Sequence, residues 1–195
     1  METAANIFFD KDERLRKSVD IEKLKMLSAV FKRGGTVTAG NSSAPCDGAA
    51  VVLLASEKIV KQYQLMPKAK VLGYATIALA PELVFMAAIP AIKECLLKGS
   101  LTLEDIDLFE ISEAFANQAI VTRDKLRIPS EKMNIWGGDL ALGHPLGAAG
   151  TRVLVSLLHA LVDQKKKRGV AAICLGGGGA VAVAIELVES RTRGM

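Results

Sequence analysis

Aromatic residues, paired cysteines, histidines and long apolar runs are all scarce in this chain, and each scarcity excludes something. Aromatics make up 5% of the 195 residues, and no interleaving of basic and aromatic side chains marks a nucleic-acid surface. Three cysteines, an odd number without paired spacing, argue against a disulfide framework and for a reducing compartment. Two histidines and few placed carboxylates offer no metal-ligand spacing, so neither a metal nor a resident cofactor is expected. No apolar run reaches the length of a membrane helix. Residues 1–20 are too charged for a secretory signal, and Arg191 to Met195 match no C-terminal address. The expected setting is the cytoplasm, with an organelle matrix left open, and with neither nucleic acid nor membrane as partner. The net charge of +4 and pI near 9.0 permit an anionic ligand without demanding one.

Apolar residues are plentiful. They make up 50% of the chain at a mean hydropathy of +0.29, enough to bury a sizeable core. Residues 10–33 are charged, with Ile21, Leu24, Leu27 and Phe31 at helical spacing, a pattern for a surface helix with one buried stripe. Gly34-Gly35 ends it. Thr36 to Thr38 reads as a short strand, residues 39–45 as a turn, Ala49 to Ala55 as a buried strand and Ser56 to Gln64 as a helix capped by Ser56. Pro67 looks like a boundary. Beyond it, strands are expected at Ala69 to Leu79 (Gly73 a bulge), Leu108 to Ile111, Val170 to Cys174 and Ala180 to Val188. Helices are expected at Val84 to Leu97, Glu113 to Leu126 and Ala148 to Gln164, the last with Gly169 past its end. Lys165 to Arg168 reads as a solvated helix end. Strands alternating with helices, then two strands in succession, argue for a layered α/β domain with a mixed sheet.

The chemical signal sits in Asn134 to Arg152, around Gly143-His144-Pro145, and thirty residues on at Cys174, which precedes Gly176-Gly177-Gly178-Gly179. His144 reads either as a histidine satisfying a turn or as a general base. Gly143 and the small residues after Pro145 favour an open bend, and a nearby helix N-terminus favours the neutral ring. Cys174 reads either as a small core residue or as a reactive thiol beside glycine N–H groups able to hold an oxyanion. The glycine run leads into a strand and lacks a Gly-Lys-Ser/Thr ending, so it is no phosphate loop. Cys95 reads as core and His159 as surface or interface. Cys46 lies in a turn with no base near it in sequence.

Four blocks carry a resemblance: Thr36-Val-Thr-Ala-Gly-Asn-Ser-Ser43, Ser112-Glu-Ala-Phe-Ala116, Asn134 to Arg152, and Cys174-Leu-Gly-Gly-Gly178. In order and spacing the chain resembles the thiolases, acyl-CoA C-acyltransferases that make or cleave 3-ketoacyl-CoA. The related β-ketoacyl synthases lack the terminal cysteine block. The resemblance implies a layered α/β fold with a mixed five-stranded sheet flanked by helices. Residues 1–67 would be the end of an N-terminal domain, 68–191 a complete C-terminal domain and 192–195 a tail. It implies His144 as activator of a nucleophilic cysteine and partner of the thioester oxygen, and Cys174 as the acid/base for the α-proton. It places Gly176 and Ser112 at an oxyanion site, Ser43, Val84, Ala114 and Phe115 along the pantetheine and acyl channel, and Arg16 near the coenzyme A nucleotide. Coenzyme A thioesters are then substrates, and the partner is a second copy or a complementary N-terminal half.

The sequence also departs from the family. Serine stands at 112 where the family has asparagine, and Val84 where it has methionine. None of the three cysteines matches the family's nucleophile. Two readings follow: the acid–base half of an acyltransferase, inactive alone, or a non-catalytic coenzyme A-binding or assembly subunit of the same ancestry. A third, in which Cys46 replaces the nucleophile, is separable by whether acetyl-CoA protects that thiol from alkylation.

Overall fold

The computed structural model describes residues 10–12, 15–16 and 18–188. The 192–195 tail and the last residues of the second expected domain lie outside this range. A sheet of four strands forms the centre: β1 (Ala69–Ala78), β2 (Leu108–Ile111), β3 (Arg168–Leu175) and β4 (Gly179–Leu187). Their order is β1-β4-β3-β2. β4 runs antiparallel to both β1 and β3, while β2 and β3 are parallel.

Period-two alternation in the strands feeds two cores. On one face Val170, Ala172, Ala180, Ala182, Ala184, Phe109 and Ile111 pack against Ile89, Ile92, Cys95 and Leu96. These last four belong to helix α3 (Ala88–Lys98), following α1 (Ile21–Lys25) and α2 (Glu57–Gln62). On the other face Leu108, Ala171 and Ile185 meet Val153, Leu157 and Leu161 of α6 (Ala149–Asp163), after α4 (Ala116–Leu126) and α5 (Asp139–Leu142). Helix α3 rides close because β4 offers it alanines. Gly73 contributes as well: the register shifts between Val71 and Gly73, as a bulge requires, and a Cβ on Gly73 would stand 2.5 Å from the Cys95 carbonyl oxygen.

Several expectations are corrected. Among the described residues the sheet has four strands, not five. At the free edge of β2 a single parallel bridge joins Phe109 to Met133. The next residue, Asn134, turns left-handed at φ 47°, and its side chain takes over the pairing. Its Oδ1 accepts from Ile111 N at 2.7 Å, and its Nδ2 donates to Ile111 O at 2.9 Å. Residues 49–55 form no strand among the described residues, with Val51 88%, Leu53 84% and Leu54 75% exposed. A buried strand needs neighbours for its amides, and none of the four strands borders it. Thr36 to Thr38 keeps only one bridge, Ala29 to Thr38. The long N-terminal helix shrinks to α1, five residues capped by Asp20. Ile21, Leu24, Leu27 and Phe31 stay exposed, because among the described residues only Gly40 and Phe115 touch the stripe and so short a helix gains little on its own. Gly169 is not a helix cap; Lys165 takes the left-handed position at φ 52°. Gly169 instead lies in β3, where a Cβ would sit 2.6 Å from Leu157 Cδ1.

Candidate active site

The C-terminal ends of the two parallel strands carry the site. Ser112 follows β2 directly, and its N–H donates to Ala172 O at 2.9 Å on β3. That register sets Ser112 beside the strand that ends in Cys174 and Leu175. The chain then turns through Gly176, Gly177 and Gly178 into β4. Gly177 and Gly178 have φ of 85° and 102°, and a Cβ on Gly178 would run into the Leu79 carbonyl oxygen, so the tightest turn positions need glycine. Gly176 is different: its φ is not positive and an added Cβ would meet nothing within 4 Å. A side chain there would point into open space.

His144 arrives from the other side. α5 is four residues long and stops at Gly143, whose φ of 91° reverses the chain. The His144 amide donates to Ala44 O at 2.8 Å, and Pro45 bridges to His144. The turn at residues 39–45 thus braces the histidine, and it carries a second thiol with it: a Cβ on Gly143 would stand 2.7 Å from Cys46 Sγ. Cys46 has no neighbouring base in sequence, but the tertiary structure sets it one residue from His144.

The central group is one that sequence reasoning missed. Asp139, at the start of α5, is wholly buried. Its Oδ2 accepts from Ser112 Oγ at 2.5 Å and from Glu113 N at 3.0 Å, and lies 3.2 Å from His144 Nδ1. Its Oδ1 accepts from Arg152 Nη2 at 2.5 Å. Arg152 also approaches Glu110 Oε1 at 3.6 Å. Asp139 is the one carboxylate within the Asn134 to Arg152 stretch, and that isolation among glycines and apolar residues was the available signal. Beside it, Glu113 is tied to Asn134 Nδ2 at 2.8 Å and to Leu140 N at 3.2 Å.

Electrostatics follow from this burial. Burial pushes the Cys174 thiol up, and the negative Asp139 adds to the rise, against a backbone hydrogen bond that lowers it. At neutral pH Cys174 is therefore a thiol, able to give a proton. Burial likewise pushes the Glu110 carboxyl up to about 7, Arg152 opposing and the charges of Glu113 and Asp139 reinforcing.

Most of the expected channel residues also come together. Ser43 Oγ and N each donate to Ala114 O at 3.1 Å, and Ser42 bridges to Phe115. The Phe115 ring meets Phe85 edge-on at 5.0 Å and Phe31 at 6.0 Å, which brings the Pro81–Met86 turn, with Val84, to the same place. Arg16 is exposed and is not among the residues these contacts gather. Among the described residues no cluster of metal-ligating side chains occurs, and no helix is long and apolar enough to cross a membrane.

Residues 65–187 match the family model for the thiolase C-terminal domain. The chain belongs to the thiolase family. Residues 2–58 match the model for the thiolase N-terminal domain. A probable acetyl-CoA acyltransferase of Staphylococcus aureus strain MSSA476 is 43% identical over 179 residues, covering 92% of this chain and 45% of that relative. The crystal structure of Bacillus anthracis acetyl-CoA acetyltransferase superposes with a TM-score of 0.90 at 40% identity, covering 96% of this chain and 48% of that one. Human mitochondrial 3-ketoacyl-CoA thiolase superposes at 0.84, also at 40% identity, over 91% and 45% of the respective chains. The chain thus spans about half the length of the relatives it matches. The layered α/β architecture and the acyl-CoA C-acyltransferase ancestry read from the four sequence blocks are those of this thiolase family.

Proposed function

We propose that this chain supplies the acid–base half of a thiolase-type acyl-CoA C-acyltransferase, acting in Claisen condensation or thiolytic cleavage of 3-ketoacyl-CoA. The observation that carries the reading is the convergence of Ser112, Asp139, His144 and Cys174 at one end of the parallel strand pair. In this reading residues 1–67 end an N-terminal domain, residues 68–191 form the C-terminal domain, and the nucleophilic cysteine comes from a complementary half.

The steps are those the groups permit. In condensation, a cysteine thiol of the complementary half yields its proton to His144. Its sulfur takes the acyl group of one thioester, and coenzyme A leaves with the proton that the Cys174 thiol gives it, which makes Cys174 a thiolate. Cys174, as thiolate, removes the α-proton of acetyl-CoA. The enolate carbon attacks the acyl-cysteine, and the cysteine departs to regain a proton, leaving 3-ketoacyl-CoA. Thiolysis runs these steps backwards, with the Cys174 thiol returning the proton to carbon. Its raised protonation range suits that acid step, while the glycine N–H groups favour the thiolate when it must act as base. Gly176 N–H serves the oxyanion. The single hydroxyl proton of Ser112 is engaged by Asp139, so its part at that oxygen runs through the aspartate. Ser43, Val84, Ala114 and Phe115 line the pantetheine and acyl path, and Arg16 serves the nucleotide.

Exposed apolar surface supports a partner. Val51, Leu53 and Leu54 lie on a segment that joins no strand among the described residues. An open cleft of about 320 Å³ runs between α6 and the sheet, lined by Leu154, Ile173, Val181 and Val183 among others. The test is complementation: the chain is mixed with a thiolase N-terminal half carrying the nucleophile, and thiolysis of acetoacetyl-CoA is followed. Turnover by the mixture, none by the chain alone, and loss with Cys174→Ala or His144→Ala are expected. The engaged Ser112 hydroxyl favours the second reading, a coenzyme A-binding or assembly subunit; binding of acetyl-CoA by the mixture without turnover would select it.

A further inference from the structure

The chemistry above needs His144 to accept a proton first and to donate a hydrogen bond afterwards, and the ring's surroundings bear on how it does both. We infer that Asp139 is a positioning residue that holds His144 in the tautomer with the proton on Nδ1, leaving Nε2 bare as the base.

Asp139 cannot turn away from the ring. One oxygen is held by the Arg152 guanidinium at 2.5 Å, the other by Ser112 Oγ at 2.5 Å and Glu113 N at 3.0 Å. Both oxygens act as acceptors, so His144 Nδ1, 3.2 Å from Oδ2, has a stable contact only when it brings a hydrogen. A bare Nδ1 would set a lone pair against a buried carboxylate oxygen. The backbone that carries the ring is also held, since the His144 amide donates to Ala44 O at 2.8 Å. Gly143 at φ 91° gives the chain the reversal that returns the histidine to an aspartate five residues earlier. Arg152 supplies the counter-charge that a wholly buried aspartate needs.

The consequence concerns Nε2. With Nδ1 carrying the proton, Nε2 keeps its lone pair and can take a thiol proton, the S–H bond breaking as N–H forms. The resulting imidazolium keeps Nδ1–H on Asp139, which stabilises it, and presents Nε2–H to a thioester oxygen. One ring then serves as base and afterwards as donor without turning. This second part rests on the acyltransferase reading; the tautomer itself does not.

The experiment uses the full chain. Long-range proton–nitrogen NMR correlation on the 15N-labelled protein, at a pH where both rings are neutral, reports which ring nitrogen is protonated. The chain has only two histidines, and His159 is exposed on α6, so His159→Gln assigns the signals and His159 serves as the solvent reference. The expected result is a pyrrole-type Nδ1 and a pyridine-type Nε2 for His144, with the opposite preference at His159. In Asp139→Ala the His144 pattern shifts toward that of His159. A His144 pattern matching His159 in the unaltered chain, or one unchanged by Asp139→Ala, overturns the assignment. If the alanine variant does not fold, the tautomer of the unaltered chain decides alone. A complementation assay that shows no turnover while the Nδ1–H tautomer is present rejects the acyltransferase reading and leaves the Asp139 assignment standing.

Discussion

Arg152 reaches Asp139 across the space between α6 and α5, Nη2 to Oδ1 at 2.5 Å, and the aspartate side chain is wholly shielded from solvent. Removing one member of such a pair leaves the other buried and uncompensated. Asp139→Ala also strips acceptors from Ser112 Oγ and Glu113 N. The expected loss is roughly 3–5 kcal/mol of unfolding free energy, read from urea unfolding followed by circular dichroism. A loss below about 1 kcal/mol, the scale of an exposed pair, would mean that the network is not a unit.

Glu110 predicts a pH slope. Its carboxyl ionises near 4.5 in the unfolded chain and near 7 in the folded one. Between those values the folded protein keeps a proton the unfolded chain has lost. Stability from this group is therefore full below pH 4.5 and falls as pH rises through 7, by on the order of 3 kcal/mol in total. Glu110→Gln removes the titration. Thermal melts from pH 5 to 8 are expected to show the variant gaining on the parent as pH rises, and parallel curves would refute the assignment.

Two glycines of β3 and its turn are expected to differ. In Gly169→Ala the new methyl meets Leu157 Cδ1 at 2.6 Å and the Leu108 carbonyl oxygen at 3.1 Å, so α6 must shift from the sheet; the cost is about 1–3 kcal/mol. Gly176→Ala meets nothing and is expected to change stability by no more than about 0.5 kcal/mol. Denaturant midpoints of the two variants settle the comparison.

The thiols are expected to separate by accessibility. Cys95 is buried, donates to Gly73 O at 3.3 Å, and is pushed up to about 11 by burial. Under brief iodoacetamide treatment of the native chain at pH 8, mass spectrometry is expected to find Cys46 labelled first, Cys174 more slowly because burial and Asp139 hold it as the thiol, and Cys95 intact until urea is added. Early labelling of Cys95 would show that the α3 core opens readily.

The exposed segment at 49–55 predicts association. At micromolar concentration, light scattering is expected to report a species larger than a monomer, with Leu53→Lys shifting it toward monomer. A clean monomer of the unaltered chain contradicts the proposed partner surface.

The sequence alone determined the four strands and α6 after Pro67, because strand and helix periodicities there each point at a core that exists; α3 and α4 begin three or four residues later than expected, and α5 was not legible. β1, β3, β4 and α6 fall within a residue or two of the bounds read from the sequence. His144, Cys174 and the glycine turn were visible for a related reason: small residues in a row leave chemical groups conspicuous. The first part of the chain was less legible. An apolar run such as Ala49 to Ala55 states that it wants a neighbour, but not whether one is there, and only the sheet's actual borders decide whether it becomes a strand. Asn134 shows the converse, a polar side chain standing in for the backbone of a fifth strand.

The core of the site belonged to tertiary structure. Nothing in sequence spacing pairs Ser112 with Asp139, twenty-seven positions apart, or sets Cys46 against Gly143 across nearly half the chain. Periodicity reports which face of an element seeks burial. A buried charge is chosen by what surrounds it in three dimensions, and Asp139 is tolerated only because β2, α5 and α6 bring a hydroxyl, an amide, an imidazole and a guanidinium to one carboxylate.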